Sequence, residues 1–124
     1  MSIEGSGSEY SLTKIGDTLL ISPYMALHDS EIIRMTNDIL DLLGEGKINN
    51  LIIDVSGIIT VDSFLIRAVG ELANSARLLG VSVVISGIRP DTAITLVELG
   101  ISFPDVKTAL NLEEAMKFLK DETS

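Results

Sequence analysis

The sequence predicts an α/β domain in which an initial β-hairpin is followed by alternating helices and strands, forming a mixed, largely parallel sheet with helices packed on it. Three observations carry this reading. Short β-branched runs alternate with stretches whose apolar residues recur at helical spacing, Gly or Pro punctuates most junctions, and 124 residues suffice for one core rather than two. An apolar fraction of 46% beside 22% charged residues marks a chain able to offset the conformational entropy of folding.

Gly5, Ser6, Gly7 and Ser8 make residues 1–9 a flexible lead, and the folded domain is expected over 10–121 with a tail at 122–124. Two β-like runs, YSLTKI and TLLIS, flank Gly16-Asp17, a two-residue hairpin signal. From Ser30 to Leu43, Ile32, Ile33, Met35, Ile39, Leu40, Leu42 and Leu43 recur at helical spacing, with Asp29 or Ser30 as the cap and Gly44 as the stop. The run NLIIDV (50–55) reads as a covered strand.

After Asp62, residues Leu65, Ala68, Val69, Leu72, Ala73, Ala76 and Leu79 follow an i, i+3, i+4, i+7 pattern that Gly80 ends. VSVVIS (81–86) is a second buried strand, and Pro90 suits the first position of a helix running through Ala93, Leu96, Val97 and Leu99 to Gly100. A short strand near Val106–Ala109 and a helix over 112–120, capped by Asn111, complete the order ββαβαβαβα. Strands joined through helices pair in parallel.

A formal charge of −9, from nine Lys and Arg against 18 Asp and Glu, argues against nucleic acid, whose phosphates require a cationic surface, and against anionic membranes. No run reaches the roughly 18 apolar residues of a membrane span. MSIEGSGSEYS lacks a basic start followed by an apolar core, so the cytoplasm is the expected location. Without cysteine, disulfides, thiolate metal sites and cysteine nucleophiles are all excluded.

No catalytic set emerges, and neither a metal site nor a cofactor is expected. His28 has no HxxxH spacing or Gly-rich phosphate loop with it and reads as a turn or cap-adjacent residue. Asp54 closes a strand where α/β folds place ligands and phosphoacceptors, which raises a receiver domain or a small phosphate-handling enzyme. The acidic pair and the lysine that a receiver needs for its metal and phosphate do not accompany it. In SGIITVDSFLIRAVG, Asp62 is a good helix cap, and capping would leave the Ser63 hydroxyl at the rim of the first turn, open to a kinase. Phosphate there would add about −1.5 to −2 charges beside Asp62, and Ile58, Ile59, Val61 and Phe64 offer apolar docking surface.

NLIIDVSGIITVDSFLIRAVGE, LLGVSVVISGIRPDTAITLVELGI and TALNLEEAMKFLK resemble the STAS domain of anti-sigma-factor antagonists from about Tyr10 onward, and most nearly the stressosome scaffold branch of that bacterial family. Antagonists of the sporulation type usually carry Asp-Ser-Ser-Gly at this helix start, whereas Phe64 and Leu65 stand here in place of the second Ser and the Gly. The resemblance implies a non-enzymatic scaffold that self-associates as a dimer and in a larger assembly with RsbR-like STAS proteins. It further implies sequestration of an RsbT-like switch serine/threonine kinase until Ser63 is phosphorylated, with a cognate phosphatase resetting the switch. Asp62 is then the cap beside the phosphosite, Ile59, Val61 and Phe64 bind the partner, and Thr95 is a second phosphoacceptor candidate. A helical threonine bonding back to a carbonyl explains Thr95 equally. A simpler alternative keeps the fold but has the unphosphorylated protein bind an anti-sigma factor directly.

Overall fold

In the computed structural model, which describes residues 10–23, 28–58, 63–100 and 106–123, the chain opens on the expected hairpin. Strands β1 (Tyr10–Ile15) and β2 (Thr18–Pro23) pair antiparallel, with Ile15 opposite Thr18, so Gly16 and Asp17 are the whole turn. Gly16 has φ of 61°, the left-handed conformation that tight hairpin turns demand. The turn is pinned to the next strand: the Asp17 carbonyl accepts from the Asn49 and Asn50 N–H groups at 2.8 and 3.2 Å, and its carboxylate accepts from Asn49 Nδ2 at 2.8 Å. Buried Asn50 donates from Nδ2 to buried Thr18 Oγ1 at 3.3 Å, which answers the cost of enclosing two polar side chains.

Strands β3 (Asn50–Asp54), β4 (Ser82–Ser86) and β5 (Lys107–Ala109) then add in parallel, giving a five-stranded sheet of order β1-β2-β3-β4-β5. Alternation along each strand divides the core. Leu19, Ile21, Leu51, Ile53, Val83 and Ile85 join α1 (Asp29–Gly44) and α2 (Ser63–Leu78), while Ile52, Val84 and Ala109 meet Ala115 and Leu119 of α4 (Leu112–Thr123) on the other face. Burial on both faces is why β3 and β4 read as continuous apolar runs. Each fully enclosed Ile or Leu contributes about 1.5–3 kcal/mol relative to exposure. Tyr10, itself buried, donates its hydroxyl to Asp38 Oδ2 at 3.3 Å and so ties β1 to α1.

The helix ends follow local chemistry, with one correction. The cap of α1 is His28, not Asp29 or Ser30: its backbone is extended, its carbonyl accepts from the Glu31 and Ile32 N–H groups, and Glu31 Oε1 takes the His28 N–H at 3.0 Å. Glu31 at the third helical position reaches back to this residue, so the helix starts one residue earlier and Asp29 falls in the first turn, where the dipole favours it. At the end of α2, Gly80 (φ 82°) allows the Val81 N–H to reach the Ala76 carbonyl at 3.0 Å. Asn111 caps α4 as expected, its Oδ1 accepting from the Glu114 N–H at 2.9 Å.

The third helix, α3 (Pro90–Glu98), starts at Pro90 as the sequence predicts, and of the apolar residues named along it only Leu96 is buried. Thr92 and Leu96 are enclosed, while Ala93 and Val97 face solvent. Only one strongly apolar residue of this short helix is covered, so the apolar pattern did not identify the inward side.

Candidate functional site

The parallel register places the carboxyl ends of β3 and β4 side by side, with Asp54 opposite Ser86. Open α/β sheets hold their functional groups at this edge. From it the chain leaves β3 through a tight turn: the half-buried Asp54 accepts the Ser56 N–H on Oδ1 at 3.1 Å, and the Ile58 N–H reaches the Val55 carbonyl at 3.1 Å. Asp54 thus serves its own loop. Among the described residues no group of three or more His, Cys, Asp or Glu is arranged to hold a metal ion.

The turn after β4 lies directly against this loop. Gly87 has φ of 80°, and a Cβ added there would fall 2.6 Å from Ser56 Cβ, 2.9 Å from Asp54 Oδ1 and 3.0 Å from the Ser56 nitrogen. Only glycine supplies both the left-handed backbone and the missing methyl group. Two residues on, Arg89 Nη2 donates to the Ile58 carbonyl at 2.9 Å, and Arg89 Nε stands 4.0 Å from Asp91 Oδ1. Neither Gly87 nor Arg89 stands out from sequence alone, since the residues they contact lie about thirty positions earlier.

Ser63 is the first residue of α2 and is exposed. Buried Leu65 and Ile66 follow at once and anchor the turn that carries it. Phe64 is 40% exposed, and on the α1 side it borders a shallow groove of about 220 Å³ lined also by Ile32, Ile33, Thr36, Ala68 and Glu71. Of the apolar residues preceding the helix, Ile58 packs inward. Asp62, Ile59 and Val61 lie outside the described residues. Thr95 donates its hydroxyl to the Asp91 carbonyl one turn earlier at 3.0 Å, the ordinary back-bond of a helical threonine. His28 is the α1 cap described above, away from this edge in role.

The arrangement offers no nucleophile–base pair among the described residues. It offers an exposed serine hydroxyl at a helix start, an apolar neighbour, and a loop braced from the β4–α3 turn. A phosphate at such a helix start meets unpaired backbone N–H groups and the positive end of the helix dipole. No helix among the described residues is long and apolar enough to cross a membrane.

Comparison with known proteins follows the same lines. The chain is 34% identical over 103 residues to the RsbT co-antagonist protein RsbRD of Bacillus subtilis, a match that covers 82% of this chain but only 37% of that protein. In structure it is similar to a serine-to-glutamate variant of RsbS from Moorella thermoacetica, with a TM-score of 0.84 and 32% identity over 94% of this chain and 98% of the other. A chain of the solved stressosome, described as a signal integration and transduction hub, superposes with a TM-score of 0.81 at 34% identity, covering 90% of this chain and 97% of its own length. The STAS domain profile matches residues 9–115, and with the hairpin, the parallel strands and the serine-headed α2 already in place, the chain belongs to the STAS domain family.

Proposed function

We propose that this protein is a non-enzymatic scaffold of the stressosome type, acting in the cytoplasm as a negative regulator of a stress-response cascade. It self-associates, assembles with RsbR-like STAS proteins, and holds an RsbT-like switch serine/threonine kinase until that kinase phosphorylates Ser63; a phosphatase restores the holding state. The exposure of Ser63 at the first position of α2, in a chain similar to RsbS over nearly its whole length, carries the reading. Asp62 acts as the cap beside the phosphosite, and Phe64, with Ile59 and Val61, supplies the apolar part of the docking surface.

The mechanism is electrostatic. A phosphoserine brings about −1.5 to −2 charges to a surface whose net formal charge is already −9. The helix start, with the equivalent of about +0.5 charge, offsets part of that charge for the domain itself, and the rest stays in solvent, so the fold survives. A partner covering the same helix end has to desolvate the phosphate, which costs far more than any rim contact returns. Release of the kinase needs no catalytic group in this chain.

The test is a pull-down of the kinase from native cells with wild type, Ser63→Ala and Ser63→Asp. Wild type and Ser63→Ala are expected to retain it, and Ser63→Asp to retain at least about tenfold less, the effect of one buried like-charge clash. Equal retention by Ser63→Asp overturns the release mechanism. Mixing with RsbR-like partners should yield a very large particle on gel filtration. A species that stays small and instead binds an anti-sigma factor favours the direct antagonist.

A further inference from the structure

Strand β1 ends the sheet, and no described strand pairs with its outer edge. Such edges are commonly blunted by a proline, a bulge or a charge that discourages a second strand. Here the pairing of β1 with β2 runs without a bulge, and β1 contains no proline. The turn sets the phase of the strand. Ile15 and Thr18 flank a two-residue loop, so they form a hydrogen-bonded pair facing β2, and the alternate residues Tyr10, Leu12 and Lys14 turn their N–H and C=O groups outward. The Asp17 carbonyl, which accepts from Asn49 and Asn50 beside β2, fits the same alternation. The one charge on the strand, Lys14, is half-buried and forms no ion pair among the described residues.

We infer that β1 is the edge through which this protein self-associates, its occupant being β1 of a second copy, antiparallel about a two-fold axis at Leu12. The inference specifies the self-association proposed above and rests on it. In this register Leu12 faces Leu12 of the second copy and Tyr10 faces its Lys14, so the outward backbone groups close about six hydrogen bonds. The side chains match the same register. On the face covered by α1, the two Leu12 side chains meet, and Lys14 of each copy comes beside Tyr10 of the other, whose hydroxyl already donates to Asp38 Oδ2 at 3.3 Å; the ammonium thus meets a carboxylate held in place. On the opposite face half-buried Ser11 meets Thr13 of the second copy, hydroxyl to hydroxyl. Centring the axis on Thr13 instead sets Lys14 against Leu12 and closes only about four backbone bonds, so the Leu12 register is preferred. Lys14 then discourages foreign strands, yet is answered in a copy that carries Asp38.

Sedimentation velocity at about 0.15 M salt, where repulsion between two copies of charge −9 is screened, tests it on wild type, Lys14→Glu, Asp38→Lys and an equal mixture of the two variants. Each variant alone places like charges at both Lys14–Asp38 contacts and should dimerise at least about tenfold more weakly than wild type. The mixture restores opposite charges at both contacts and should regain the wild-type affinity. Residue-resolved hydrogen exchange of wild type by NMR, at low and high protein concentration, needs no variant. The Tyr10, Leu12 and Lys14 amides should slow by about tenfold on dimerisation, while those of Ser11, Thr13 and Ile15, already bonded to β2, change far less. If a variant fails to fold, this alternation alone decides. A wild-type dimer that folded Lys14→Glu leaves intact, a mixture of folded variants no tighter than either alone, or slowing without the alternation overturns the inference while self-association stands through another face. A wild type that stays monomeric at high concentration overturns both.

Discussion

At the scale of single residues, Gly87 shows how one absent methyl group shapes the edge of the sheet. Its left-handed φ and the 2.6 Å approach to Ser56 Cβ mean that Gly87→Ala must shift both loops. A loss of about 2–4 kcal/mol in urea denaturation is expected, above the usual cost of a surface substitution; a change under about 0.5 kcal/mol would show that the loops yield freely. Thr95 makes the opposite case. Its hydroxyl satisfies itself on the Asp91 carbonyl within the same helix, so Thr95→Ala should alter stability by no more than about 0.5 kcal/mol by the same measurement. The place of Ser63 at the head of α2 was legible from the sequence because helix-start chemistry is local, an Asp that suits a cap, a hydroxyl, then apolar residues at helical spacing, whereas its reading as a phosphoacceptor came from the resemblance to STAS domains. Arg89 was not, because its partner is a backbone carbonyl, and carbonyls carry no sequence signature.

At the scale of elements, α4 is fixed at its start by Asn111 and along its length by buried Ala115 and Leu119, with half-buried Met116 and Phe118 packed beside them. The three-residue β5 that it covers adds a Lys107 ammonium over the Phe118 ring at 5.6 Å. Asn111→Ala should therefore cost about 1 kcal/mol, read as a lowered midpoint in urea with unchanged slope. In α2 the wholly buried Leu72 faces the larger half of the core, and Leu72→Ala should cost about 2–5 kcal/mol in the same experiment. The long helices α1 and α2 were readable because a sixteen-residue amphipathic repeat averages over local exceptions. The nine-residue α3 gave too few turns for that, and its inward face was settled by Thr92 and Leu96 instead. The start of α1 moved by one residue because His28, just ahead of the two expected caps Asp29 and Ser30, is the residue whose N–H Glu31 reaches.

At the scale of the whole molecule, a net charge of −9 on 124 residues sets up self-repulsion that added salt screens. Raising sodium chloride from low to near-molar concentration should lift the thermal midpoint by about 2–4 °C, and a flat or falling midpoint would mean that attractive surface pairs dominate. By itself the sequence determined the element order, the hairpin turn, the two covered strands and the serine at the head of α2, because each depends on periodicity, turn chemistry or caps within a few residues of one another; the family came from the resemblance of three longer segments to the STAS domain. Only the tertiary structure decided which face of α3 is buried, that Asp54 serves its own loop, and that Gly87 and Arg89 bring the β4–α3 turn onto the loop ahead of Ser63. Those outcomes depend on parallel strands setting side by side residues some thirty positions apart in the chain, a proximity that the alternation of apolar and polar residues does not encode.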